Sequence, residues 1–220
     1  MSKEQNHLFL EKIKEKLNIS DIPDIVLFVG DGTIDGHGVL IEEEAYGFFE
    51  LTTLKNSLSS YHAEVFLVHE IIHPIHYQLN KDFSPQNWNS VEEYYFKRLI
   101  CEGIATYFSK NVISTLIEEA YWFGYLKQDE LNEWINYCKE ARHEISKKLK
   151  RSLKEKKLDS NLYRQLFCIL GNEKLTQFRL GYYYGSQIME KINKKFTFEQ
   201  IINLEYKDLR YYILNYFDIN

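Results

Sequence analysis

The sequence predicts a mainly α-helical α+β protein, with a small β-rich part at about residues 24–52 and a helical part at about residues 59–220. Short apolar runs rich in β-branched residues, together with glycine-rich turn sequences, occur in the first part. In the second part, apolar residues recur with the 3.6-residue period of amphipathic helices. With 45% hydrophobic and 15% aromatic residues in a chain of 220, a packed core is available.

The N-terminal part begins with an amphipathic segment that predicts a helix over residues 3–17. Strands are then expected at 25–29, 39–42 and 46–51. Glycine and aspartate dominate the segment 30–38, which favours a hairpin connection. Asp31 and Asp35 do not suffice for a calcium loop, which needs more ligands and a closing Glu.

The helical part opens with a helix expected over residues 59–78. Pro74 within it predicts a kink or break, because proline lacks a backbone N–H and disfavours helix in the residue before it. After a loop at 81–90, a second helix is expected from residue 91 to about residue 110. Further helices are predicted at 128–157, 161–170, from 180 onward, 198–204 and 206–217, with a turn at 171–172. The long 128–157 helix is also a possible lid.

Composition narrows the class of protein. No repeat, low-complexity segment or long linker is present, so residues 1–220 are predicted to form a single domain. The net charge is −5 and lysine and arginine are scattered, so nucleic acid is not an expected partner. No apolar run reaches the roughly 18 residues of a membrane span, and the N-terminal segment is too charged for a signal peptide, so a cytoplasmic protein without membrane partners is expected. Oligomeric state is not indicated.

The cysteines do not indicate a disulfide framework. Cys101, Cys138 and Cys168 are odd in number, far apart and without C-x-x-C spacing. We expect three buried thiols.

The candidate chemistry lies in an H-E-x-x-H sequence, His69-Glu70-Ile71-Ile72-His73, within the helix expected at 59–78. On a helix, residues four apart are separated by about 40° around the axis, so the two imidazoles can bind one metal ion. Glu70 lies next to them and can act as general base for a metal-activated water. The motif therefore predicts a metal-dependent hydrolase site.

A catalytic zinc usually has three protein ligands, and two candidates exist for the third. Glu102 lies in an apolar run of the second helix, where a carboxylate needs a partner or a metal. His76 lies on the same helix as the first two ligands, and three ligands on one continuous helix would be spread along it. Glu102 is therefore favoured. In the plainer interpretation Glu102 pairs with Arg98 or a buried lysine, and His76 is an ordinary, partly buried histidine.

These sequences together resemble the gluzincin clan of zinc metallopeptidases. H-E-x-x-H at residues 69–73 is followed by E-G-x-A-x-Y at 102–107, and Gly-Tyr-Tyr-Tyr-Gly at 181–185 resembles the tyrosine- and glycine-bearing helix of small predicted zinc-dependent proteases in that clan. The resemblance implies a zincin-like fold, with the small sheet over the motif helix. It also implies Zn²⁺ bound by His69, His73 and Glu102, with Glu70 as the base.

The resemblance further implies a tyrosine hydroxyl that stabilises the oxyanion. Tyr182 is favoured by its place in a Y-x-x-G pattern, and the alternatives are Tyr183, Tyr184 and Tyr107. Two positions depart from the clan's pattern. Pro74 directly follows the second histidine, and Thr106 stands where some members carry an acid that orients a histidine ligand. Glu64 or a backbone carbonyl would then orient the imidazoles.

Two functions follow as hypotheses. The first is a zinc-dependent metallopeptidase, in which an edge strand from residues 25–51 holds a peptide or protein substrate extended and Glu70 activates water. The second is a catalytically inactive zincin-like fold with a protein-binding or structural role. Glu70 favours the first, because a purely structural metal site does not require it, and Pro74 favours the second.

Overall fold

A computed structural model describes residues 3–31, 36–57, 62–168 and 174–219. Within these residues the elements are α1 Lys3–Leu17, β1 Asp24–Phe28, β2 Gly36–Ile41, β3 Glu44–Glu50, α2 Leu51–Ser57, α3 Ala63–Leu79, α4 Val91–Ile113, α5 Ile117–Trp122, α6 Gln128–Glu155, α7 Ser160–Phe167, α8 Leu180–Asn193, α9 Phe198–Ile202 and α10 Tyr206–Phe217. Short 3-10 turns lie between α3 and α4 and before α8. The predicted class, mainly α-helical with one small sheet, is confirmed.

The sheet has the strand order β1-β3-β2, with β1 parallel and β2 antiparallel to β3. Ile41 pairs with Glu44, so Glu42 and Glu43 alone form the turn between β2 and β3. Their φ angles of 49° and 75° are those of a type I′ hairpin. The hairpin expected at 30–38 is therefore wrong, because β1 pairs with β3 rather than β2; residues 32–35 lie outside the described residues.

Glycines of that segment serve close packing instead of a hairpin turn. A Cβ at Gly38 would lie 2.8 Å from Cδ of Pro74, and one at Gly36 would lie 2.7 Å from Cγ of Glu70. Only glycine lets a strand backbone come this close to a helix. β2, at the edge of the described sheet, consequently lies directly on α3, the helix that carries the H-E-x-x-H motif.

Of the kink or break expected at Pro74, the break does not occur, since α3 continues through Pro74 to Leu79. Proline removes one backbone hydrogen bond, but α3 is packed between the sheet and α4 and is buried along most of its length. Tertiary packing of this kind outweighs a local helix-breaking tendency. The expected start of the helix at residue 59 lies outside the described residues.

α4 packs against both α3 and α8. Ser90 caps its N-terminus, where the Ser90 hydroxyl accepts a hydrogen bond of 3.2 Å from the backbone N–H of Glu93. Further along, α4 crosses α8 at two glycines, and a Cβ at Gly103 would lie 2.5 Å from the carbonyl carbon of Gly185. This crossing brings the start of α8, with its tyrosines, beside Glu102 and Gly103 of α4.

The remaining elements follow the predictions with shifted ends. α2 and α5 are additional helices, and α6, α7 and α9 end earlier than expected, at Glu155, Phe167 and Ile202. The turn predicted at 171–172 lies outside the described residues. Buried apolar side chains of the sheet and of the helices form one cluster. No helix among the described residues is long and apolar enough to cross a membrane.

The three cysteines are free thiols. Cys101 and Cys138 are buried as expected. Cys168 is partly exposed, because it lies just after α7 ends, so the expectation of burial is wrong for this residue.

Candidate metal centre

The two motif histidines lie on the face of α3 that packs against α4. The centres of their rings are 5.1 Å apart, and the ring planes are nearly perpendicular. Both Nε2 atoms face the same carboxylate oxygen of Glu102, at 3.2 Å from His69 and 3.6 Å from His73. The packing of α3 on α4 therefore brings Glu102 to the two motif histidines, which precede it in the sequence by 33 and 29 positions.

The three motif residues His69, Glu70 and His73 form a group that could hold a metal ion. One ligand atom from each of His69, Glu70 and His73 lies within 4.8 Å of the others. Oε1 of Glu70 is 4.0 Å from Nε2 of His69, so the motif glutamate borders the same space as the imidazoles. His69 is almost wholly buried and Glu70 is partly exposed.

Glu102 uses its two oxygens differently. Oε2 faces the histidines, while Oε1 lies 2.7 Å from Nε of Arg98, one helical turn earlier in α4. Burial would raise the pKa of Glu102, but Arg98, and then His73 and His69, hold it well below its usual range. An ionised, buried carboxylate is thus present whether or not a metal is bound. The ion pair with Arg98 and the position beside the histidines, weighed above as alternatives, coexist.

His69 is suited to donate a lone pair. Burial, opposed by the neighbouring Glu102, lowers the pKa of His69 to about 4, so its imidazole is neutral at pH 7. The Nδ1 atoms of His69 and His73 have no hydrogen-bond partner among the described residues. Glu64 is exposed on α3 and does not orient either ring, so that expectation is wrong. Its position near the start of α3 places its side chain on the solvent side.

His76 has a different environment from the motif histidines. Its ring stacks on Phe83 with 4.6 Å between centroids, and it is buried. Burial, and then the charge of His73, lowers the pKa of His76 to about 3. Neither of its nitrogens has a hydrogen-bond partner in the part of the chain that the structure describes. The structure places Glu102, not His76, beside both motif histidines.

A cavity of about 270 Å³ opens over the candidate metal centre. Its walls come from β2, α3, α4, α7 and α8 and from Phe123 and Arg179, and they include Glu70, His73 and Glu102. α6, the possible lid, contributes no residue to these walls. A larger cleft of about 650 Å³ lies elsewhere, between the segment after α1, β3 and the end of α3, and none of the candidate ligands borders it.

Of the four candidate tyrosines, Tyr182 borders this cavity. Its ring stacks on that of His69, with 5.7 Å between centroids and 14° between planes. Burial raises the pKa of Tyr182, so its hydroxyl stays protonated and can donate a hydrogen bond.

The other three tyrosines have structural contacts. Tyr183 packs on Tyr121, the Tyr184 hydroxyl donates to the carbonyl of Cys138 at 2.8 Å, and Tyr107 accepts a hydrogen bond from Asn193. The catalytic role of Tyr182 stays a prediction.

His37 and Arg179 are among the residues of the cavity wall that were not singled out from the sequence. His37 lies on β2 between Gly36 and Gly38, and its Gly-His-Gly pattern is the only local signal. Arg179 lies directly before α8. Arg179 stands between Phe178 and Leu180 in the sequence. A charged residue in an apolar setting needs a partner, which is the same signal that singled out Glu102.

Comparisons of the chain with protein-family models, curated proteins and solved structures find no match. The resemblance to gluzincins therefore depends on the residues quoted above. The class of site that the structure itself defines is a buried histidine and carboxylate cluster able to hold a metal ion.

Proposed function

We propose that this protein is a zinc metallopeptidase with a zincin-like fold. The observation that carries the proposal is the distance from Glu102 Oε2 to each of the two imidazole nitrogens. A tetrahedral zinc with ligands at about 2.0–2.1 Å separates its ligand atoms by about 3.3 Å. The distances from Glu102 Oε2 to the two imidazole nitrogens, 3.2 Å and 3.6 Å, bracket this value.

The chemistry of the donor set supports the same metal. Two imidazoles and one carboxylate are a ligand set of catalytic zinc sites, which keep a fourth position for water. The cavity beside Glu102 and His73 supplies room for that position. When bound, zinc would lower the pKa of a water molecule and polarise a carbonyl group.

The residues around the centre would then carry out peptide hydrolysis. Glu70, at the cavity wall, accepts the proton of the attacking water and passes it to the leaving amine. The Tyr182 hydroxyl donates a hydrogen bond to the oxyanion. β2, at the edge of the described sheet, holds a peptide or protein substrate by strand addition. A cytoplasmic location belongs to the same proposal.

One observation favours the second candidate function, an inactive zincin-like fold without bound metal. Arg98 already neutralises Glu102, and Nε2 of His69 lies within hydrogen-bond distance of the same carboxylate. A buried carboxylate satisfied in this way does not require a metal. Pro74 no longer supports this alternative, because α3 runs through it unbroken.

Metal analysis and one substitution test the proposal. The purified protein is expected to contain about one zinc per chain. Glu70→Gln keeps that zinc but lowers hydrolysis of a random hexapeptide library by about 10²–10⁴-fold, because it removes the proton acceptor while preserving shape. Glu64→Gln, on the exposed side of α3, is the matched control and keeps both properties. Absence of zinc, or a Glu70→Gln variant as active as the wild type, would overturn the proposal.

A further inference from the structure

The cavity over the metal centre contains a buried cation with no anionic partner among the described residues. Arg179 borders this cavity and only 5% of its surface is exposed. Its Nε and Nη2 atoms have no hydrogen-bond partner in the described part of the chain. Burying a charge without an anionic partner costs free energy. A guanidinium in this position is therefore a binding site for an anion.

Aromatic rings compensate only part of this cost. The guanidinium carbon of Arg179 lies 3.8 Å from the ring centre of Tyr182 and 4.7 Å from that of Phe123. These cation–π contacts stabilise the charge. They do not supply strong hydrogen-bond acceptors for the N–H groups of Arg179. The geometry of these N–H groups matches the two oxygens of a carboxylate.

The other cationic side chain at this cavity, Arg98, already has an anionic partner. Arg98 borders the same cavity, but its Nε lies 2.7 Å from the carboxylate of Glu102. A substrate anion entering the cavity would therefore pair with Arg179.

Arg179 is close to the metal centre. The same two rings that contact its guanidinium also contact His69, at 5.7 Å for Tyr182 and 5.0 Å for Phe123. One extended residue spans about 3.3–3.6 Å. By the contacts through Tyr182, the guanidinium carbon of Arg179 lies at most about 9.5 Å from the centre of the His69 ring, which is fewer than three extended residues of a substrate.

We propose that Arg179 binds a carboxylate of the substrate one or two residues beyond the scissile bond, and that this carboxylate is the free C-terminus. The inference rests on the proposed peptidase function and makes the protein a peptidase that acts at the carboxyl end of peptides. Hydrolysis breaks the C–N bond one or two residues before the terminus, forms a C–O bond with water, and leaves a proton on the released amine.

The size of the cavity favours a chain end over an acidic side chain within a longer chain. Its volume of about 270 Å³ is below the range of about 300–1,000 Å³ usual for ligand pockets. A chain that continued past Arg179 would need a second exit, whereas a chain that ends there would not.

Three hexapeptide libraries distinguish these sources of the carboxylate. The first has free C-termini, the second is C-terminally amidated, and the third is amidated with glutamate at the last position. Retention by zinc-loaded Glu70→Gln protein measures binding without hydrolysis, and mass spectrometry of wild-type digests maps the cleaved bonds. We expect about 10- to 100-fold stronger retention of the first library than of the second, which is the loss expected of a charged hydrogen bond, and cleavage one or two residues from the terminus.

Substitutions then connect the effect to Arg179. In the Glu70→Gln protein, Arg179→Gln removes the preference for free C-termini and Arg179→Lys retains part of it. Arg151→Gln removes an exposed charge of α6 and is the matched control that keeps the preference. If the Arg179 variants do not fold, the retention of the first two libraries by the Glu70→Gln protein, with Arg179 in place, still decides whether a free C-terminus is preferred.

The outcomes separate this inference from the proposed function. Zinc binding and hydrolysis with equal retention of free and amidated libraries overturn the inference alone. Retention of the glutamate library equal to that of the first library assigns Arg179 to acidic side chains and overturns the C-terminal assignment. A preference for free C-termini that needs Arg179, in a protein without zinc or hydrolysis, overturns the proposed function and supports the carboxylate site.

Discussion

At the scale of single residues, the carboxylate of Glu102 has two roles that depend on each other. One oxygen is within 3.6 Å of both imidazole nitrogens and the other is 2.7 Å from Arg98. Arg98 keeps the carboxylate ionised in a buried position, and the ionised form is the one that binds a metal. Arg98 therefore acts on the metal centre through Glu102.

Glu102→Gln tests this role. The amide preserves the shape but removes the charge that faces both histidines, so zinc affinity should fall. Loss of a residue that only supports a ligand typically costs 10–100-fold in affinity, so loss of a ligand is expected to cost more than about 100-fold. Competition with a chromophoric chelator measures the dissociation constant.

His76→Phe is the control for the alternative ligand. The ring of His76 already stacks on Phe83, and its nitrogens have no hydrogen-bond partner among the described residues, so a phenyl ring fits the site chemically. Zinc affinity should stay within about twofold of the wild type, a difference of roughly 0.4 kcal/mol. Normal zinc binding by Glu102→Gln together with its loss in His76→Phe would assign the third ligand to His76.

At the scale of elements, the close crossing of α4 and α8 positions Tyr182 against the metal centre. Gly103 and Gly185 let the two backbones touch, and a Cβ at Gly185 would overlap the carbonyl oxygen of Leu99. A flexible side chain cannot relieve an overlap with backbone. The stacking of Tyr182 on His69 therefore depends on a helix crossing that only glycine permits.

Gly185→Ala is expected to destabilise the protein. Alanine is the better helix former by about 1 kcal/mol, but overpacking costs about 1–3 kcal/mol and overlap with backbone places this substitution at the upper end, so a net loss of about 2 kcal/mol is expected. Urea unfolding measures it. Because α8 must shift, hydrolysis should also fall while zinc content is kept.

The control for this substitution lies on the same helix. Glu190 is exposed on α8, so Glu190→Ala should change the free energy of unfolding by no more than about 0.5 kcal/mol. A Gly185→Ala variant as stable and active as Glu190→Ala would show that the crossing has more room than the structure indicates.

At the scale of the whole molecule, the candidate metal centre joins parts that are distant in the chain. β2 covers α3 at Gly36 and Gly38, α4 contributes Glu102, and Arg179 and Tyr182 come from the start of α8. A metal bound by α3 and α4 would hold these layers together only in the folded state. Binding would consequently stabilise the entire fold.

Removal of the metal is therefore expected to lower the melting temperature. Free zinc at about 100 times its dissociation constant stabilises a protein by about 2.7 kcal/mol. For a chain of this size each kcal/mol changes Tm by about 2–4 °C, so a strong chelator should lower Tm by about 5–10 °C. Calorimetry with and without chelator measures the shift, and readdition of zinc should restore it. An unchanged Tm in protein shown to lose its zinc would contradict a site that spans α3 and α4.

Much of the secondary structure was predictable because it depends on neighbouring residues. The helix over residues 3–17 and the amphipathic period of α6 were found in this way. The errors arose where distant contacts outweigh local tendencies. Pro74 stays within a helix because the sheet and α4 pack around it, and the hairpin formed at Glu42 and Glu43 lacks the Asn-Gly signal of its turn type.

The sequence by itself determined the H-E-x-x-H motif and the need of Glu102 for a partner, because helical spacing and burial of a carboxylate have consequences that follow from short segments. Only the tertiary structure decided that Glu102 faces both histidines, that Arg98 neutralises it and that Arg179, in the same cavity, has no anionic partner among the described residues. Periodicity tells which side of an element is buried. Which residues meet across that buried side depends on how helices cross, and here two glycines set that crossing.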